Sequence, residues 1–115
     1  PKIVTGMLVV ESHGDPYALS EKGAEGCMQT LPLIDSEIGM VGRDSFHCRT
    51  SITKGTRYLA ILRDRYGYTN PYHAVVAYNR GPGGAKRCTL DELRRNKYLN
   101  DVRAVMGKIP INTFS

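Results

Sequence analysis

Apolar positions recur at intervals of three and four residues, and strand-like alternation is never sustained beyond a few positions. Val4, Met7, Leu8 and Glu11 share one face of a helix that Ser12 to Gly14, and then Pro16, bring to an end. Lys22 to Gly26 is small and glycine-rich, and Cys27, Met28 and Gln29 after it read as a short helix. Pro32 suits a first helical position, with Leu33, Ile34 and Ile38 as an apolar stripe closed by Gly39. Residues 40–49 have no period and predict a surface loop. Thr50 or Ser51 is then placed to cap a helix with the stripe Ile52, Gly55, Leu59, Leu62 and Tyr66, ending at Gly67. Asn70-Pro71 marks another start, for a small-residue helix over His73 to Tyr78, and residues 79–84 must leave it. Thr89-Leu90-Asp91-Glu92 matches a capping box that opens a last helix, about 90–106, through Leu93, Leu99, Val102 and Met106. The pattern predicts an all-α single domain over 1–115 with five or six helices and a tail over 108–115.

Bulk composition narrows the partners more than the fold. The chain has 115 residues, enough for one core and too few for two. Sixteen Lys and Arg against eleven Asp and Glu leave a net charge of +5, which suits an anionic partner: nucleic acid, anionic lipid or an acidic wall polymer. No helix carries a basic stripe interleaved with aromatics, so nucleic acid is set aside. No apolar run approaches the roughly 20 residues that span a bilayer, so no membrane insertion is expected. The chain starts at Pro1 with no signal peptide, most simply read as an excised or processed domain. Cys27, Cys48 and Cys88 make no Cys-x-x-Cys pair and the three histidines are scattered, so neither metal nor cofactor is expected.

Glu11 is the candidate with a chemical rationale of its own. On the face shared with Val4, Met7 and Leu8 it points inward, where desolvation raises a carboxyl pKa and keeps a proton available, as a general acid requires. Periodicity alone leaves a second reading, in which the helix ends here and Glu11 turns into solvent.

The surrounding motifs decide between the two. Glu11-Ser12, Asp15-Pro16, Ala18, Ser20, Gly23-Ala24, Gly26-Cys27-Met28-Gln29 and Pro32 resemble the opening motifs of the lytic transglycosylase family, which is related to goose-type lysozyme. Ile52, Gly55, Tyr58 and Leu59 resemble that family's Asn-Ile-x-x-Gly-x-x-Tyr-Leu helix, and Ala77 to Gly83 its Ala-Tyr-Asn-x-Gly-Pro-Gly loop. The resemblance implies a lysozyme-like domain that cleaves the bond between N-acetylmuramic acid and N-acetylglucosamine in peptidoglycan, leaving a 1,6-anhydro ring. It implies Glu11 as the single acid and base, with Ser20, Met28, Gln29, Tyr78 and Asn79 on the sugar. It also places the domain in the bacterial envelope or a phage particle, within a longer protein or wall-associated machine, and needs no cofactor or metal.

Each of those positions has a plainer reading: Ser20 as a turn residue, Met28 as core, Tyr78 as a half-buried helix aromatic, Asn79 as a left-handed residue ahead of Gly81. Two other functions stay open, a goose-lysozyme-like muramidase that admits water and a wall-binding module without turnover. Three departures from the pattern stand out. Cys27 replaces a leucine, Ser51 replaces an asparagine, and with Tyr98 aligned to the closing Glu-Thr-x-x-Tyr, Arg94 and Arg95 fall on the Glu-Thr pair. The polar contact of that closing motif is therefore not carried over. Cys48 and Cys88 both flank loops, and an exported enzyme meets an oxidising compartment, so these two are expected to pair and Cys27 to stay free.

Overall fold

The structure, a computed structural model, describes residues 2–85 and 88–108. Its elements are α1 (Lys2–Ser12), a single 3-10 turn (Pro32–Ile34), α2 (Cys48–Asp64), α3 (Pro71–Arg80), α4 (Leu90–Arg95) and α5 (Lys97–Lys108). The all-α class is as the periodicity predicts. Among the described residues the only strand-like pairing is two isolated bridges, Leu19 with Glu25 and Glu25 with Thr30.

The helix starts follow local chemistry where the sequence supplies it. Asn70 accepts the Tyr72 N–H and Pro71 fills the first position of α3, while Thr89 accepts the Glu92 N–H to open α4. The single last helix is in fact two. The backbone of Asn96 turns extended (φ −68°, ψ 118°), and its side chain accepts the Leu99 N–H and so caps α5. Asn96 thus closes one helix and opens the next, a break that apolar spacing does not register. The predicted tail keeps only Lys108 among the described residues, as the last residue of α5.

α2 begins earlier than expected, at Cys48 with His47 as N-cap, so Thr50 and Ser51 lie inside it. Its buried face is Ser51, Lys54, Gly55, Tyr58 and Leu62, whereas Ile52 and Leu59 are half-buried and Tyr66 is exposed. α2 packs on α1 and α3, and Ser51 and Lys54 are drawn in by hydrogen bonds to the 26–29 turn and the 43–45 segment. Residues 26–29 form a turn and not the short helix expected, because Gly26 and Gln29 both take positive φ (76° and 51°). A Cβ on Gly26 would lie 1.9 Å from the Ser45 carbonyl oxygen, so the turn has room for no other residue there.

The predicted disulfide is corrected as well. Cys27 bonds to Cys48, with α-carbons 5.4 Å apart, and Cys88 is free. The 26–29 turn lies directly on the start of α2, a proximity set by the tertiary fold and not by both cysteines flanking loops.

α1 and α5 pack closely and antiparallel, and that contact positions the site. A Cβ on Gly6 would lie 3.0 Å from the Val102 carbonyl oxygen, so the two backbones nearly touch. From this crossing Glu11 lies further along α1 and Tyr98 one turn back along α5, which brings the two together. Met7, Leu99 and Val102 seal the interface.

Candidate active site

A groove of about 600 Å³ opens beside the end of α1. Glu11, Ser20, Gln29, Tyr78 and Asn79 all line it, so five of the six residues singled out from sequence meet in one place. The sixth does not reach it: the Met28 side chain is fully buried and packs on Gly55, as the plainer reading had it.

What Met28 gives the groove is its peptide. Its N–H donates to Ser51 Oγ at 2.9 Å, and its carbonyl accepts the Tyr78 hydroxyl at 2.7 Å. One residue earlier, the Cys27 carbonyl accepts Ser12 Oγ at 2.7 Å. One residue later, Gln29 Nε2 donates to the carbonyls of Ala18 (3.0 Å) and Gly26 (2.9 Å). The turn is therefore strapped to the end of α1, the start of α2 and the end of α3, and the Cys27–Cys48 disulfide adds a covalent tie to α2. These bonds hold Gln29 in a left-handed conformation that costs a non-glycine residue about 1 kcal/mol. Gly55 explains its own place in the motif, since a Cβ there would come within 2.9 Å of Met28 Cε and the Tyr78 hydroxyl.

The same bonds alter two roles. The Tyr78 hydroxyl and the Gln29 amide nitrogen were expected to reach a sugar, and both are instead committed to backbone carbonyls. Tyr78 presents its ring, packed against Tyr58 with centroids 5.4 Å apart, and burial pushes its hydroxyl pKa well above the usual value. Ser20 accepts the Ala24 N–H at 2.9 Å and so closes its own turn while lining the groove. Asn79 stays helical and is exposed, which removes the left-handed reading.

Glu11 is withdrawn from water, and desolvation lifts its pKa from 4.5 to about 7. The opposing influence is one hydrogen bond, from the Tyr98 hydroxyl to Oε2 at 2.8 Å. A carboxyl poised there holds its proton through much of the neutral range and releases it easily, as alternating acid and base duty demands. Tyr98, half-buried beside the carboxylate, has its own pKa raised by desolvation and by Glu11, and remains a donor.

Tyr98 is the site residue that sequence reasoning left out. Its signal was present, since it lies one turn before Val102 on the apolar stripe of α5, but nothing local pairs it with a residue 87 positions away. Arg94 and Arg95 are exposed on α4, with Arg95 paired to Asp91, and do not line the groove. The tyrosine aligned with that closing motif makes a polar contact of its own, to Glu11. Ser12 was likewise quoted only as a motif letter, and its hydroxyl ties α1 to the 26–29 turn.

Three further charged residues line the groove: Glu21 and Lys22 from the 20–24 turn, and Arg80 from the end of α3.

Residues 1–100 match the family described as Transglycosylase SLT domain. Among curated relatives, the membrane-bound lytic murein transglycosylase C of Actinobacillus pleuropneumoniae serotype 5b (strain L20) is 39% identical over 98 residues, covering 72% of this chain and 27% of that protein. The membrane-bound lytic murein transglycosylase F of Desulfosudis oleivorans is 34% identical over 87 residues, covering 71% of this chain and 19% of that protein. The C enzyme of Histophilus somni (strain 2336) is 34% identical over 100 residues, covering 74% and 28%. The chain thus spans between about a fifth and a little over a quarter of the length of these relatives.

Proposed function

The chain belongs to the transglycosylase SLT domain family, and from that premise we propose that it cleaves the β-1,4 bond between N-acetylmuramic acid and N-acetylglucosamine in peptidoglycan at the bacterial cell envelope, without water. The observation that carries this reading is Glu11, a carboxyl held near pKa 7 that lines a groove of about 600 Å³.

Glu11 gives its proton to the glycosidic oxygen as the C1–O bond breaks and positive charge develops at the anomeric carbon. The carboxylate left behind then takes the proton of the muramoyl O6 hydroxyl, and O6 closes on C1 to form the 1,6-anhydro ring. Glu11 ends protonated, so one group serves both halves and no second carboxylate is required. The substrate's acetamido group eases the charge at C1, and the protein supplies position and a tuned acid. Tyr98 steadies the carboxylate between the two transfers. The tyrosine rings form an apolar bed for the sugar, while Ser20, Asn79 and the Oε1 end of Gln29 offer it polar contacts.

Glu21 keeps a second reading in play. It is an exposed carboxylate in the same groove, and a hydrolase would use such a group to activate water. Mass spectrometry of digested peptidoglycan separates the two, because anhydro and reducing ends differ by one water. Anhydro ends from the outset are expected, and reducing ends from the outset would make the protein a muramidase. Glu11→Gln should lose at least a thousandfold in rate, about 4 kcal/mol, while staying folded. A folded variant within tenfold of the parent would remove Glu11 from the chemistry.

A further inference from the structure

The turn that carries Gln29 is fixed by a bond that the shared motif does not contain. Cys27 stands where the motif has a leucine, and it is joined to Cys48, the first residue of α2. Cys27 is fully buried, and its sulfur lies 3.8 Å from the Gly14 carbonyl oxygen just past the end of α1. Cys48 is half-buried. The Cys27 carbonyl accepts the hydroxyl of Ser12, the neighbour of Glu11 in sequence, and the Met28 carbonyl accepts the Tyr78 hydroxyl. On its other side the turn is pressed at Gly26 against the Ser45 carbonyl. The sulfur bridge therefore sits at the point where the turn, the end of α1 and the start of α2 meet.

Two separate thiols need more space than two bonded sulfurs, because unbonded atoms keep to van der Waals distance. A close-packed interior holds no such slack. α2 is a 17-residue helix with its own backbone bonds, so the turn is the part that yields. Its displacement passes through Ser12 to the end of α1, and through Met28 to Tyr78. A misplacement of about 1 Å in a catalytic constellation can cost about a hundredfold in rate. We propose that the Cys27–Cys48 disulfide is a positioning element of the catalytic centre, so that glycan cleavage depends on its oxidised state and a small dithiol switches it off. The proposal rests on the transglycosylase reading and adds a dependence on redox state to it. A thiolate of the dithiol attacks the half-buried Cys48 sulfur, the disulfide breaks, and Cys27 leaves as a thiolate that takes up a proton. The second thiol then attacks the mixed disulfide, releases Cys48 and closes the oxidised dithiol into a ring, so two electrons and two protons reach the protein. The domain is idle where thiols are kept reduced and active where disulfides persist.

The test follows cleavage of soluble glycan strands by the oxidised protein, by the protein after dithiothreitol, and after reoxidation. Thiol titration in denaturant fixes the state, with one thiol (Cys88) in the oxidised chain and all three cysteines reactive in the reduced one. Circular dichroism sets a temperature at which the reduced chain is still folded. On reduction kcat is expected to fall about tenfold to a hundredfold with KM kept within about threefold, and to return on reoxidation. The protein carrying both Cys27→Leu and Cys48→Ala has the leucine of the shared motif and no bond to open, so its rate should be the same with and without dithiothreitol. A folded, reduced parent within about twofold of the oxidised rate would overturn the proposal. An equal loss in the double variant would overturn it too, since the dithiol would then act elsewhere, as would three thiols in the active, untreated protein. A reduced chain that is unfolded wherever the oxidised one works would also overturn it and leave the bond a role in stability alone. If the oxidised parent cleaves nothing, the transglycosylase reading itself fails and takes this proposal with it, an outcome plainly distinct from equal cleavage in both states.

Discussion

Glu11 at the end of α1 and Lys54 in the middle of α2 are both ionisable groups drawn out of water, and the fold treats them differently. Lys54 is fully buried, and its amine donates to Asp35 Oδ2 (3.0 Å), the Arg43 carbonyl (2.7 Å) and Ser45 Oγ (2.8 Å). All three ammonium protons are matched. Glu11 receives one hydrogen bond, from Tyr98 to Oε2, its Oε1 has no partner among the described residues, and the residue lines the groove. One charge is compensated and ties the 35–45 loop to α2. The other is left undercompensated, and its proton stays available. Burial by itself therefore does not mark a functional group; the number of partners at the buried atom does.

The largest stability effect should come from the compensated side. Lys54→Met keeps the length of the side chain and removes the charge, stranding the Asp35 carboxylate, whose Oδ1 is already buried without a partner. Breaking a buried pair from one side costs about 3–5 kcal/mol. Urea unfolding at neutral pH should show a loss in that range. A loss below about 1 kcal/mol would mean that water takes the place of the amine, and the contrast with Glu11 would weaken.

On the poised side the expected sign is reversed. Glu11 releases its proton near 4.5 in the unfolded chain and near 7 in the fold. Between those values the fold binds the proton more tightly than the unfolded chain, so stability falls as pH rises through 4.5 to 7 and levels off above. The full loss is about 3 kcal/mol. Glu11→Gln cannot ionise, so it should be more stable than the parent by about 2–3 kcal/mol at pH 8 and about equal to it at pH 4. Unfolding curves at the two pH values provide the measurement. Equal stability at pH 8 would show that the carboxylate is well hydrated, and would remove the reason for its late titration.

This contrast was only half legible in the sequence. Glu11 sits on an apolar helical stripe, so its inward phase could be counted, and the motifs around it named Ser20, Gln29, Tyr78 and Asn79, which line one groove with it. Lys54 could be counted onto the side of α2 that carries Gly55, Tyr58 and Leu62, yet a lysine there reads by default as solvated, because its partners come from a loop with no period. The missed features share that cause. The Cys27–Cys48 bond, the Tyr98 contact and the strapping of the 26–29 turn all join positions that only tertiary packing brings together. The split at Asn96 is a different failure. There a local side-chain cap overrides a stripe that continues in phase across the break.

The smallest effect expected is also the most diagnostic of how Glu11 is tuned. The Tyr98 hydroxyl stabilises the ionised carboxylate and so holds its pKa below the level that burial alone would set. Tyr98→Phe keeps the ring that packs between α1 and α5 and removes only that donor. The pKa of Glu11 should then rise further. If the rate depends on a protonated Glu11 to begin the reaction, kcat/KM falls as pH rises through about 7 in the parent. The alkaline limb should move upward by about one pH unit in Tyr98→Phe, the equivalent of about 1.4 kcal/mol for a hydrogen bond to a charged group. The plateau rate should drop only severalfold, because the acid is still present and merely less well held. A structural role for Tyr98 predicts something else, a lower Tm with the limb unmoved. A limb that moves downward would contradict both, since it would mean the hydroxyl favours the protonated acid and accepts, not donates, at Oε2.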